Sequence, residues 1–471
     1  MSVATQSSTR ASATRFDNRL VEDLRSRLTG ELITATSPGY DEARLPFSFL
    51  VDPRPLAIVQ AANDDDIVAA IDFARDYDLP LTVRGGGHGL RMDSMVDDAI
   101  AIDLSHMKAV QIDPEERIAR VQGGATSGDL TDAAHEHGLA LSTGDTASVG
   151  LGGLVTGGGI GFMVRKYGLA IDNLLSARVV TASGEIMIAS ETENPDLFWA
   201  IRGGGGNFGV VSEFTFRLAP VEQVLGGELI LPASHDVIRG YLDYLVAAPE
   251  ELTVIAHLMR VPPLPNVPEP TVGKLVLSMF VTWAGDETAG ERALAPLRAL
   301  ATPLVDTIKL IPYRAMYDLT AHQSQRQGIS VRSMFADSIS HGAIDQMLAA
   351  MDRPTPPISV VQLRGLGGAV SRVSSEATAF AHRRQPYFVS VLSLWMNPAD
   401  DAAPHQDWVE SLWQAIRHEG SGAYVNFLAA EGDERIREAY PDETYTRLAE
   451  IKRRYDPENL FQFNQNIPPR A

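Results

Sequence analysis

The chain has 471 residues, 45% of them apolar and 21% charged, with a formal net charge of −20; its length suits two or three domains of about 150 residues each, and its composition that of a globular rather than a disordered protein. Such acidity argues against nucleic acid or an anionic membrane surface as a partner. The complete absence of cysteine excludes disulfides, thiolate catalysis, zinc ribbons and any cysteinyl link to a cofactor.

Residues 1–15 are rich in Ser, Thr and Ala and hold no apolar core, so they read as a disordered tail rather than a signal peptide. Ala57 to Ala61 is a short strand-like run. Asp64, Asp65 and Asp66 then open a helix whose apolar residues Ile67, Ala70, Ile71 and Ala74 recur at helical spacing. Leu81 to Arg84 reads as a strand and runs into Gly85-Gly-Gly-His88-Gly89. Ile100 to Leu104 follows, then a hairpin of Ala109 to Ile112 and Ile118 to Val121, turning at Asp113-Pro114. A helix over Thr126 to His137 precedes the glycine-dense segment Gly144 to Gly161. Within it the longest uncharged run, Thr146 to Val164, carries seven glycines and lacks the sustained apolarity of a membrane span. The expectation is a soluble chain, with the cytoplasm favoured.

A second hairpin pairs Leu175 to Val180 with Glu185 to Ile188, and the strand Val210 to Phe216 closes this block before Pro220. From Val221 the strands lengthen. Lys274 to Trp283, Ile358 to Leu363 and Tyr387 to Trp395 read as sheet, with helices over Ala289 to Leu300 and Trp408 to His418 lying on it. Val261 to Pro270 and Tyr313 to Ser338 read as loops. The chain closes with Tyr424 to Leu428, an amphipathic helix over Thr444 to Arg454 and the phrase from Tyr455 to Ile467.

Three glycine clusters stand out: Gly85 to Gly89, Gly144 to Gly161 and Gly203 to Gly209. Glycine in bulk weakens regular structure, so its density needs a reason. Surface turns would explain one cluster. Three clusters, each after a strand or helix, point to loops whose backbone N–H groups face a large phosphorylated cofactor. A nicotinamide fingerprint is rejected, because Gly150-Leu-Gly152-Gly-Leu-Val lacks the third glycine of that pattern. His88 sits inside a glycine turn with no core to satisfy it. From the residues alone a surface histidine explains it as well as a functional one.

The ordered set Arg84-Gly-Gly-Gly-His-Gly89, Val149-Gly-Leu-Gly-Gly153, Gly157-Gly-Gly-Ile-Gly161, Arg165-Lys-Tyr-Gly-Leu169, Asn194-Pro-Asp-Leu-Phe-Trp199, Arg202-Gly-Gly-Gly-Gly-Asn-Phe-Gly209 and Asn464-Gln-Asn-Ile467 resembles the FAD-linked oxidases of the berberine-bridge-enzyme type, within the vanillyl-alcohol-oxidase/PCMH superfamily. The resemblance runs from about Asp52 to the end. It implies an α+β fold in which a PCMH-type FAD-binding domain in two parts (16–220 and the returning segment 423–471) receives a substrate domain (221–422) built on an antiparallel sheet covered by helices. It implies FAD covalently held by His88. Arg84, Gly85, Gly86, Gly87 and Gly89 would surround the cofactor's pyrophosphate side. Gly144, Ser148, Val149, Gly150, Gly152, Gly153, Gly157, Gly158, Gly159, Gly161 and Val211 would line it, with Asn464 and Asn466 near its ring. No metal is implied.

Departures from the family bear on mechanism. Thr146 stands where many members carry a second, cysteinyl flavin link, so one covalent link is expected. Ile160 and Phe427 replace two tyrosines that are the usual bases for alcohol oxidation, and Leu154 stands where plant members usually carry histidine. Tyr424 is the remaining catalytic candidate, and Gln362, Arg364, Tyr387, Trp395 and Phe427 are expected to line the substrate pocket. An alcohol needs a base at its O–H, whereas a neutral amine can use its own lone pair. The favoured reading is therefore hydride transfer from an amine or secondary metabolite to flavin N5, with dioxygen as the second substrate and hydrogen peroxide as product. The alternatives are a carbohydrate or alcohol oxidase with another base, and a flavin dehydrogenase or inactive flavin-binding homologue.

Overall fold

The computed structural model describes residues 17–261, 272–353 and 356–469; the expected tail over 1–15 and nearly all of the loop expected from Val261 to Pro270 lie outside them. Its architecture is α+β, built on three sheets. Strands β1 (Glu31–Thr34), β2 (Ala57–Gln60), β3 (Leu81–Arg84) and β4 (Ile100–Asp103) form the first, in the order β1-β2-β4-β3, with β2 and β3 parallel to β4. The crossover helix is Asp64–Asp76, capped by the Asn63 side chain, and it buries Ile67, Ala70, Ile71 and Ala74 as its spacing requires.

The next strands are β5 (Val110–Asp113), β6 (Ile118–Gln122), β7 (Leu139–Ala140), β8 (Leu174–Val180), β9 (Ile186–Ser190), β10 (Val210–Arg217) and β11 (Ala219–Pro220). Five of them make an antiparallel sheet ordered β5-β6-β10-β8-β9, while β7 and β11 pair with each other. Phe214 and Phe216 of β10 share a core with Leu428, Leu448, Ile451, Tyr455 and Ile467 near the C-terminus. The C-terminal helix Asp442–Tyr455 is thus packed on the glycine-rich half of the molecule.

The third sheet comprises β12 (Gln223–Pro232), β13 (Leu252–Arg260), β14 (Leu275–Trp283), β15 (Val305–Asp306), β16 (Lys309–Pro312), β17 (Gly328–Ala336), β18 (Ile358–Gly365) and β19 (Tyr387–Trp395). Its order is β15-β12-β14-β13-β18-β19-β17, with β16 also on β12. Helices His235–Ala247, Glu287–Arg298, His341–Asp352 and Ala403–Ile416 cover one face, where Val254, Ala256, Leu258, Val361, Leu363, Val389 and Val391 are buried. Each of the valines and leucines contributes about 1.5–3 kcal/mol on burial. The opposite face looks toward the glycine loops.

The reading of Tyr313 to Ser338 as loop is overturned. A 3₁₀ helix runs over Tyr313–Ser324, and β17 is the last strand of the sheet, paired with β19 and bridged through Phe335 to Ser421. Ser330 and Arg332 alternate with Ile329 and Val331, but Ser333 then breaks the apolar face, which hid the strand. Among the described residues no helix is long and apolar enough to cross a membrane.

Candidate active site

A single cleft of about 1300 Å³ separates the glycine loops from the uncovered face of the eight-stranded sheet. Its lower wall begins where β3 ends. Arg84 does not reach the cleft: its guanidinium donates to Asp103 at 2.6 Å and 3.1 Å and to the Ala43 carbonyl. Burial alone would raise the Asp103 pKa, but Arg84 and the Ser105 donors outweigh it and hold the carboxyl below its usual range. Arg84 is therefore the anchor of the loop, and with Gly85, Gly86, Gly87 and Ser148 it lines a smaller hollow beside the cleft.

Beyond this anchor, Gly85, Gly86, Gly87, His88 and Gly89 line the cleft. Gly87 adopts φ +71°, which favours glycine. A Cβ on Gly86 would lie 2.3 Å from the Gly150 nitrogen, and one on Gly150 would lie 2.2 Å from the Gly86 nitrogen. The two loops therefore cross backbone on backbone. The His88 ring is half-buried, stacks on Phe47 with centroids 4.4 Å apart, and has Nε2 3.1 Å from Ser148 Oγ. Burial lowers its pKa to about 4, so at neutral pH the imidazole is uncharged and keeps a nitrogen lone pair for bond formation.

Gly144, Val149, Gly150, Gly152, Gly153 and Val211 also line the cleft, whereas Ser148 meets it only through His88. Gly157, Gly158, Gly159 and Gly161 are behind the wall, a correction to their expected place in the lining. A Cβ on Gly157 would come 2.0 Å from Asn426 Oδ1, one on Gly159 2.5 Å from the Ala170 Cβ, and one on Gly161 2.7 Å from Ser142 Oγ. These glycines permit tight packing, and Ile160 between them faces the cavity. From the C-terminal segment Asn464 lines the cleft; Asn466 does not, and Gln465 does instead. Asn464 Nδ2 donates to the carbonyls of Gly206 and Phe461, both at 3.1 Å, while its buried Oδ1 has no protein partner.

The residues present fit FAD. Nothing stands within 4 Å of where a Cβ of Gly89 or Gly153 would be, so backbone there is open to a bulky group. The orphaned Asn464 Oδ1 awaits a donor, and His88 is neutral and placed in the same cradle.

On the sheet wall Gln362 and Arg364 of β18 face the cleft as expected, and Phe427 does too. Tyr387 and Trp395 do not. The Tyr387 hydroxyl donates to the Leu242 carbonyl in the helical layer, and Trp395 stacks on His405 at 4.3 Å. Side chains on β19 alternate, so Leu392 and Leu394 line the cleft while 387 and 395 point to the helices. Sequence reasoning missed His257, Asp145 and Glu228, all in the lining. Register places His257 directly opposite Gln362. The Gln362 amide nitrogen lies 2.8 Å from His257 Nε2, and its oxygen accepts from Arg364 Nε at 2.7 Å. Arg364 in turn pairs with Asp145 of the Gly144 loop. That chain of bonds makes His257 Nε2 the acceptor.

Tyr424 lies in the cleft wall among Phe335, Phe380, Phe388 and Phe427. Its hydroxyl oxygen accepts from the Gly159 N–H and from Asn426 Nδ2, both at 2.9 Å. Burial raises its pKa despite these donors, so the phenol stays protonated at neutral pH.

Nearby His382 stacks on Phe335 at 4.8 Å and donates to the Glu438 carbonyl. Burial lowers its pKa from 6.5 to about 4. Between those values the unfolded chain binds the proton and the folded one does not. The stability His382 contributes is thus present above pH 6.5 and lost as pH falls toward 4. The urea midpoint is expected to drop across that window, and less steeply in His382→Phe; equal slopes would contradict the assignment.

Residues 55–190 match the family described as FAD binding domain, and residues 423–468 the one described as berberine and berberine like. The chain is 30% identical to the FAD-linked oxidoreductase YgaK of Bacillus subtilis, over 94% of this chain and 98% of that one. It is 32% identical to (R)-6-hydroxynicotine oxidase of Paenarthrobacter nicotinovorans, over 94% and 97%. The crystal structure of 6-hydroxy-D-nicotine oxidase from Arthrobacter nicotinovorans is similar with a TM-score of 0.85 and 29% identity, covering 94% of this chain and 98% of that one.

Proposed function

Because the chain belongs to the berberine-bridge-enzyme-like family of FAD-linked oxidoreductases, we propose that it is an oxidase of small amines, with FAD bound covalently through His88 alone. FAD, when bound, takes a hydride from the substrate and passes the electron pair to dioxygen, giving hydrogen peroxide.

The observation that carries the amine reading is that each candidate base beside Ile160, Phe427 and Arg364 is already engaged. Tyr424 is protonated and accepts two hydrogen bonds. His257 Nε2 accepts from Gln362, and Asp145 is paired with Arg364. Ile160 and Phe427 offer the cleft no proton acceptor. The wall around Ile160, Tyr424 and Arg364 therefore orients a substrate but supplies no free group there to deprotonate an alcohol. A neutral amine loses hydride from its α-carbon with help from its own nitrogen lone pair, leaving an iminium that water hydrolyses. The sheet wall supports a largely apolar substrate, since Met259, Val276, Phe280, Val360 and Leu392 flank the polar residues at its centre. The acceptance of a nicotine derivative, named for a relative, is consistent with this.

The link is tested by acid precipitation: native protein is expected to carry its yellow colour into the pellet, and His88→Ala to release it to the supernatant. Colour retained by His88→Ala would overturn the assignment. The substrate class is tested by anaerobic titration with cyclic amines, oligosaccharides and phenolic alcohols. Bleaching by amines alone, with colour and peroxide returning in air, is the expected result. Bleaching by sugars would replace the amine reading with one that needs a base.

A further inference from the structure

Glu228 stands apart from the groups used so far. It lies on β12, half-buried, and lines the cleft. Its Oε1 accepts a hydrogen bond of 2.6 Å from Ser278 Oγ. Among the described residues it enters no ion pair; of the other carboxylates lining the cleft, Asp93 and Asp145 are each paired with arginine, and Asp318, also unpaired, is exposed to water where Glu228 is half-buried. The surroundings are apolar. Phe280 is its direct cross-strand neighbour, and Ile230 and Val276 line the same stretch of wall. A carboxylate withdrawn partly from water without a counter-charge is costly. A carboxylate beside an aromatic ring is also the combination that recognises an organic cation, through charge and through the ring's electron-rich face.

Cross-strand register fixes where this group stands. Glu228 pairs with Phe280, Phe280 with Ile255, and Ile255 with Arg364. Glu228 is therefore three strand spacings, about 14 Å, from the strand of Arg364. The two ends differ in charge balance: at one, Arg364 is neutralised by Asp145 and the Gln362 amide is spent on His257 and Arg364, and at the other stands a carboxylate without a counter-charge.

We propose that Glu228 and Phe280 form a subsite for an organic ammonium group, so that substrates carry a cationic nitrogen at the end away from Arg364. This deepens the amine reading and rests on it only for the claim that the ligand is a substrate. The reacting nitrogen must be neutral to assist hydride loss, so the cation held at Glu228 is a second, non-reacting one. Diamines and amines bearing a remote quaternary nitrogen are the class implied.

The test is calorimetric binding to the FAD-loaded protein under anaerobic conditions, with choline as a permanently charged probe and 3,3-dimethylbutan-1-ol as its neutral isostere. Native protein is expected to prefer choline. Glu228→Gln is expected to weaken choline by about tenfold and to leave the isostere within about twofold, with the visible flavin spectrum unchanged. Glu228→Asp, which keeps the charge and tests the site should the amide variant fold poorly, is expected to retain the preference. No preference for choline in native protein, or undiminished choline binding in Glu228→Gln, would overturn the subsite. Because the readout is binding, a Glu228-dependent preference for choline in a protein that oxidises no amine would sink the amine reading and leave the subsite standing.

Discussion

Lys452→Met is expected to destabilise the protein by about 3–5 kcal/mol, because it leaves a buried carboxylate without its partner. Lys452 and Asp456 are both fully buried. The ammonium donates to Asp456 Oδ2 at 2.6 Å, to the Asn207 carbonyl at 2.8 Å and to the Phe461 carbonyl at 2.9 Å, which uses all three of its hydrogens. Asp456 also accepts from the backbone N–H groups of Leu460 and Phe461. This knot joins the C-terminal segment to the third glycine cluster, and Asn464 and Gln465 beyond it line the cleft. The loss should therefore show twice: a lower urea midpoint, and a lower ratio of flavin to protein absorbance after purification. Lys452→Met with Asp456→Asn should recover part of the stability, since the stranded charge is then gone. A single variant as stable and as yellow as native protein would contradict the role.

Arg165→Met is the second large effect. Arg165 is 3% exposed and has no carboxylate partner among the described residues. Its guanidinium instead donates to the Leu366 carbonyl at 3.0 Å, Pro249 at 3.1 Å, Leu252 at 2.7 Å and Ala248 at 2.9 Å. It follows the Gly161 turn, while Ala248 and Pro249 precede β13, Leu252 opens it and Leu366 follows β18. One side chain thus ties the glycine segment to the sheet wall. The Pro249 carbonyl keeps a donor in the Leu252 N–H, but the other three lose the Arg165 donor, which should cost about 3 kcal/mol or more. The expected signature is a protein that keeps its flavin yet unfolds in two steps, with tryptophan fluorescence and flavin colour no longer coincident. Coincident transitions near the native midpoint would refute it. Arg165→Lys should fall between, because three hydrogens cannot reach four carbonyls in a planar fork.

The cofactor half of the molecule was legible because its signals are local. A glycine turn after a strand, a histidine inside it and a capped amphipathic helix each announce themselves within about ten residues. The sheet wall was less so. Leu252–Arg260 is apolar on both faces, so no alternation marked it as a strand or singled out His257 as facing a cavity. On β19 the strand was found but its parity was not, which put Tyr387 and Trp395 on the wrong side. Gly157 to Gly161 misled for another reason. Glycine reports that something comes close, not what, and here the neighbours are protein atoms. Asp145, Arg364, Gln362 and His257 come from two strands and a loop, and only the folded register brings them into one chain of bonds.

The crossing of Gly86 over Gly150 limits how this site can diversify. A side chain on one loop is usually accommodated by trimming its neighbour, but here the neighbour is already glycine and the obstruction is main chain. No second-site substitution can make room. Alanine at either position must instead push two loops apart, and His88 is two residues from the contact. Variation in what this scaffold oxidises is thereby confined to the sheet wall, where side chains meet side chains and replacements can compensate one another. A mutant library aimed at new substrates should accordingly yield folded, yellow members from positions on β13, β14 and β18, and almost none from 86 or 150.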